Sequence, residues 1–309
     1  MNRGVFSAEV VANKRINTGC CRLELSFSGP AAQAIATAVP GQFLQLDLAG
    51  ACLPPVQDIP PGLADASARN ILLRRPFSFA AVTAKAKTST AEILYRAVGP
   101  ASLRMTALSA GRTVTVIGPL GNGFRIPQNI KTALLIVGGM GAGPLLFLAK
   151  LLTAKFPQMN VFAFAGAKKA AELPFAGRLD ALSAELGYSI GEFASLGIES
   201  SIATDDGSLG FHGPVTDCFA DRLKEKELPA EGTVIFACGP EAMLAKVAQI
   251  AAQRKIECQV SMERMMACGI GTCQSCAIEC RLEGSKDTVY KLCCKDGPVF
   301  NSNEVVFRT

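Results

Sequence analysis

Residues 268 to 276 read CGIGTCQSC, three thiols with four and then two residues between them, and a Cys293-Cys294 pair follows. No other stretch restricts the fold as much. A loop with this spacing has to wrap closely around something small, and it is a spacing at which cysteines hold a 2Fe-2S cluster. Thiolates are the soft, charged donors that iron needs. Gly269 and Gly271 let the backbone fold over inorganic sulfide and turn N–H groups toward it. A structural zinc knuckle usually has two separated CxxC or CxxC/HxxxH pairs, whereas here one CxxC carries an extra upstream cysteine and no histidine. The spacing favours a cluster over zinc. It leaves the fourth ligand open between Cys293 and Cys294.

The chain holds 12 cysteines in 309 residues, and its start, MNRGVFSAEVVANKR, lacks a signal-peptide core. A reduced, cytoplasmic setting is therefore expected rather than a secreted disulfide framework. Cys20, Cys21, Cys52, Cys218, Cys238, Cys258 and Cys280 are then most simply small hydrophobic residues. With 49% hydrophobic and 18% charged residues, the chain should be ordered throughout. Its net charge of +5 is scattered without a Lys/Arg block, which argues against a nucleic-acid partner. The apolar run from Ala133 to Ala149 approaches the length of a membrane span, about 20 residues. Gly138, Gly139, Gly141, Gly143 and Pro144 interrupt it, so it reads as strand, glycine turn and helix, with no membrane role.

Three units follow in order. Over residues 1–127, short apolar runs alternate with turn signals, as in an antiparallel β-barrel. A proline-rich stretch over 51–70 is a surface loop, and RRPFS and LYRAV are strands flanking possible donors to a dinucleotide. Over residues 128–255, strands alternate with helices, including one expected over 172–186, which predicts a parallel sheet with ligands at the carboxyl ends of its strands. Two glycine turns fall at such ends, GGMGAG with Gly138, Gly139 and Gly141, and the Cys238-Gly239-Pro240 turn. Asp205 and Asp206 follow another strand, where acids can bond a ribose hydroxyl and repel a 2′-phosphate, which favours NAD over NADP. His212, the single histidine, sits between glycines with no catalytic arrangement around it. Residues 256–309 form the cysteine unit, too small to be stable without help from its cluster.

Taken together, RRPFS, LYRAVGPAS, GPLGNGF, GGMGAGPLLFLAK, ATDDGS, ACGPEAML and MACGIGTCQSC...CKDGPVF resemble the iron-sulfur electron-transfer subunit of NAD-linked (class 1B) dihydroorotate dehydrogenase, in the ferredoxin-reductase superfamily. The resemblance implies an FAD site at Arg75, Pro76, Phe77, Ser78, Leu94, Tyr95, Arg96, Gly99, Ala101 and Ser102. Ala101-Ser102 departs from the family's usual Gly-Thr, and Gly143 stands where the superfamily often has alanine. The cluster ligands it implies are Cys268, Cys273, Cys276 and Cys294, the last because the family's fourth cysteine stands one residue before the DGPVF segment. It also implies a partner: a catalytic FMN-containing dihydroorotate dehydrogenase subunit, joined in a heterotetramer. Electrons would run from that FMN through 2Fe-2S and FAD to NAD⁺. Two other readings share much of the pattern, the FAD/2Fe-2S subunit of an NAD(P)H:ferredoxin or sulfide-type reductase, and a redox-sensing nucleotide-binding module without turnover.

Overall fold

A computed structural model describes residues 3–308 except 18, 176–178, 182–187, 227, 283 and 286. Its first unit is an antiparallel sheet of seven strands, in the order Arg75–Ser78, Phe43–Leu46, Thr113–Leu120, Gly4–Arg15, Cys20–Ser28, Thr88–Arg96, Ala81–Ala84. Alternation sets its faces. In Cys20–Ser28, Leu23, Leu25 and Phe27 are buried while Arg22, Glu24 and Ser26 are half-buried, the period of two that a strand requires. The sheet curls into a half-barrel around Val10, Leu23, Leu25, Leu44, Leu46, Ile93 and Val116. The helix Gly29–Ala36 packs Ala31, Ala32 and Ile35 into that core.

The second sheet runs Phe211–His212, Glu199–Thr204, Asn160–Ala167, Thr132–Gly138, Thr233–Cys238, Glu257–Ser261, Val299–Asn301, parallel except for the last strand. All of Thr132–Gly138 is buried, as a central parallel strand covered on both faces should be. The helix Ala142–Lys155 covers one face, and Val215–Lys226 and Glu241–Arg254 cover the other. Among the described residues, no helix is long and apolar enough to cross a membrane.

The sheet takes in two strands from beyond residue 255. Glu257–Ser261 pairs with Thr233–Cys238, and Val299–Asn301 pairs with Glu257–Ser261, so the cysteine segment leaves the sheet and returns to it. Between them lies one hairpin, Ala277–Arg281 with Thr288–Leu292. The helix expected over 172–186 is not found where the chain is described. Ala170–Glu172 is a single tight turn, and Leu179–Ala181 pairs as a strand with Tyr188–Ile190. Residues 176–178 and 182–186 of that expectation lie outside the described residues.

Candidate functional site

A cleft of about 840 Å³ opens where the half-barrel, the second sheet and the cysteine segment meet. From the half-barrel come Leu73, Arg75, Pro76, Phe77, Arg96 and the turn Val98 to Ser102; from the second sheet, Gly239, Pro240 and Glu241. The cysteine segment supplies Met262 to Ala267 and Ser275. The size suits a large organic cofactor. Pro76, Phe77 and Val98 make an apolar wall, and Arg75, Arg96 and Arg264 also line the cleft. Arg75 donates to the carbonyls of Leu73 (2.8 Å) and Arg74 (3.1 Å), while Arg74 turns away to Asp47 at 3.2 Å.

Arg96 is held more firmly, donating to the Glu172 carbonyl at 2.9 Å and lying 3.4 Å from its carboxylate. Its buried Nε has no hydrogen-bond partner among the described residues. The Ser102 hydroxyl accepts from the backbone N–H of Val98 (2.9 Å) and Gly99 (3.1 Å), fixing the turn. Other candidates point elsewhere. Tyr95 donates to Asn13 Oδ1 (3.0 Å) inside the half-barrel, where burial pushes its phenol well above the usual range. Leu94 packs toward the helix Ala142–Lys155, and Ser78 is not in the cleft wall.

A second cavity of about 520 Å³ lies at the carboxyl ends of the parallel strands. Gly138, Gly139, Lys168, Asp205, Thr216 and Lys246 line it. Arg96 and Pro240 line both cavities, so the two spaces adjoin. The two glycine turns pack closely on each other, and a Cβ on Gly138 would stand 2.7 Å from Pro240 Cδ. A Cβ on Gly141 would stand 2.1 Å from the Cys238 carbonyl oxygen, so Gly141 serves the close packing of the two turns, while Gly138 and Gly139 reach the cavity. Cys238 faces Ser261, with its thiol pushed up to about 12 by burial. Asp206 points to solvent, accepts from the Ser208 N–H at 3.0 Å, and is held below the usual carboxylate range by Ser208.

The thiols form two pairs. Cys268 neighbours Cys273, and Cys276 neighbours Cys294, with Cys294 also facing Cys268. Backbone N–H groups converge on the sulfurs: those of Ile270 and Cys273 point at Cys268 Sγ (3.5 and 3.4 Å), and that of Cys294 at Cys276 Sγ (3.4 Å). Cys273 lies 3.2 Å from the Ser275 hydroxyl, which leads in lowering its thiol to about 6 and favours the thiolate. Cys293 turns into the core and donates to the Met262 carbonyl at 3.3 Å, its thiol raised by burial. Among the described residues no three His, Cys, Asp or Glu side chains close on one point as the ligands of a single ion do. Two thiol pairs fit a binuclear cluster, with two cysteines for each iron.

Residues 263–306 match the family model described as the iron-sulfur cluster binding domain of dihydroorotate dehydrogenase B. A protein of Caldanaerobacter subterraneus subsp. tengcongensis is 30% identical over 99% of this chain and 100% of its own length. One from Geobacillus kaustophilus is 36% identical over 92% of each. Both are named dihydroorotate dehydrogenase B (NAD(+)), electron transfer subunit. The chain belongs to this family.

Two solved structures share the fold of this electron transfer subunit homologue. An NADH-dependent reduced ferredoxin-NADP oxidoreductase matches with a TM-score of 0.71 at 24% identity, over 99% of this chain and 92% of the other. Phthalate dioxygenase reductase matches with a TM-score of 0.56 at 16% identity, over 94% and 78%. As in the first of these comparisons, the likeness runs through all three parts of the chain. The sequence reading missed the stretch Met262 to Ala267 as a wall of the first cleft, and with it the Arg264–Glu241 pair at 2.8 Å. Its signal was position, since SMERMMA runs straight into Cys268.

Proposed function

We propose that this chain is the electron-transfer subunit of an NAD-linked dihydroorotate dehydrogenase, working beside a catalytic FMN subunit in a cytoplasmic heterotetramer. The contiguity of the sites supports this reading: one cleft is walled by seven of the ten expected FAD residues and by the flank of the cluster loop, and Arg96 and Pro240 join it to the second cavity. Bound there, a cluster supplies one-electron transfer, FAD exchanges one electron or two, and NAD⁺ accepts a hydride.

The chain's own residues do the positioning. Cys268, Cys273, Cys276 and Cys294 hold the cluster, and the N–H groups of Ile270, Cys273 and Cys294 offset the charge on its sulfur ligands. Arg75, Phe77, Arg96 and the turn Gly99 to Ser102 would hold FAD, with Pro76, Phe77 and Val98 as the apolar part of the wall. Gly138, Gly139 and Asp205 receive the nucleotide. The functional units are residues 1–127, 128–255 and 256–309, with the last anchored in the sheet of the second.

The test mixes the chain, loaded with iron, sulfide and FAD, with a catalytic dihydroorotate dehydrogenase subunit. NADH should form only when dihydroorotate and both subunits are present. If the loaded chain gives no NADH with that subunit yet passes electrons from NADH or NADPH to a ferredoxin, the ferredoxin-reductase reading replaces this one. If it takes up neither iron nor flavin, the nucleotide-binding module does.

A further inference from the structure

Gln45 lies in the strand Phe43–Leu46, whose residues Leu44 and Leu46 fill the half-barrel. Side chains alternate along a strand, so Gln45 points out of that core. It is nevertheless fully buried, at 0% exposure. The cluster loop is what covers it. A Cβ on Gly269, the residue after Cys268, would stand 2.3 Å from Gln45 Nε2 and 2.8 Å from its Cδ, so only glycine lets the loop lie against this amide. On its own strand's neighbours, Gln45 sits in register with Pro76, a wall of the FAD cleft, and with Ile117. The amide thus occupies the ground between the cleft and the first cluster cysteine.

Neither Nε2 nor Oε1 of Gln45 has a hydrogen-bond partner among the described residues. Other buried glutamines are paired. Gln42 donates to the Gly121 carbonyl at 2.7 Å and accepts from the Val39 N–H at 3.0 Å, and Gln259 bonds both ways with the Arg125 backbone. An unpaired amide in a closed interior is unfavourable, and leucine would fill the same space at no such cost. A polar group kept there points to a partner that the polypeptide does not itself supply. Gln45 is not part of the cleft wall, whereas its amide touches the cluster loop.

We propose that the Gln45 amide N–H donates a hydrogen bond to a sulfur of the 2Fe-2S cluster and thereby raises its reduction potential. This rests on the cluster assignment made above. A donor to sulfur stabilises the reduced state, which carries the greater negative charge, more than the oxidised one. Gln45 is in this sense a positioning and tuning residue at the junction of the two redox sites, and Gly269 is the residue that admits it.

The test is a potentiometric titration of the loaded protein followed by electron paramagnetic resonance, on the parent and on Gln45→Leu. Iron and labile sulfide are counted first; a parent chain without them removes the cluster assignment itself, independently of Gln45. With both proteins loaded equally, the cluster midpoint of Gln45→Leu should fall and its g-values should shift, while the flavin midpoint stays in place. Unchanged cluster midpoint and g-values overturn the proposal, as does a shift confined to the flavin. Should Gln45→Leu fail to load, Gln45→Met offers a closer match in shape. The parent protein with isotope-labelled glutamine side-chain nitrogen gives a reading without substitution: pulsed resonance of the reduced cluster should detect coupling to the label, and its absence overturns the proposal.

Discussion

Cys293 and Cys294 are adjacent in sequence and face different surroundings. Cys293 is sealed in the core with its thiol on the Met262 carbonyl, and burial raises it away from the thiolate that iron requires. Cys294 is also pushed up, to about 12, by burial and then by the neighbouring Cys276, but its sulfur receives the Gly271 N–H and faces Cys276 and Cys268. Proton loss there is driven by the metal itself. The expected outcome is that Cys294→Ser loses most of its iron and visible absorbance, whereas Cys293→Ser keeps both because a hydroxyl can still donate to Met262. Iron and sulfide content per chain measures it, and the opposite ranking would reassign the fourth ligand. Spacing alone could not make this distinction, since a shift of one residue turns the side chain from the cluster loop to the core.

At the scale of elements, Gly141 and Gly143 differ in the space around them. Gly141 has φ −60°, a value alanine adopts freely, so any penalty there comes from space alone. The atom in the way is a backbone carbonyl, which cannot swing aside as a flexible side chain can. Gly143, two residues on in the first turn of the helix Ala142–Lys155, would place its Cβ 3.8 Å from Ala80 Cβ, an ordinary contact. Gly141→Ala should therefore destabilise the protein by about 1–3 kcal/mol and weaken NADH binding, while Gly143→Ala should stabilise it by about 0.5–1 kcal/mol. Denaturant melts and an NADH titration of the two variants check this pair of opposite signs. The strand-turn-helix grammar made these elements legible in the sequence, because buried parallel strands and glycine punctuation are local signals. The wall formed by Met262 to Ala267 was not legible, because it depends on how the cysteine segment docks against two other units. The direction of Tyr95 was not legible for a related reason: a motif names neighbours in sequence, but alternation along Thr88–Arg96 sends Tyr95 to Asn13 and Arg96 to the cleft.

For the whole molecule, the course of the last fifty residues changes what removal of the cluster should do. A unit of that size with its own small core would unravel as a whole once iron is gone. Here its two ends are strands of the nucleotide sheet. Val260 is fully buried, Phe300 is nearly so, and Glu257–Ser261 is hydrogen-bonded on both sides, to Thr233–Cys238 and Val299–Asn301. The loop from 268 to 275 has less support, since Ile270, Cys273 and Ser275 are exposed and it belongs to no strand or helix. Chelation of iron should therefore raise amide hydrogen exchange across the loop around Cys268 to Cys276 and around Cys294, while residues 257–261 and 299–301 keep their protection. Exchange followed by mass spectrometry, with and without chelator, reads both regions in one experiment. Equal loss of protection in the sheet strands would mean that the cluster also stabilises the nucleotide unit. Protection confined to those strands would make them the fixed frame from which the chain leaves to form the cysteine loop beside the first cleft.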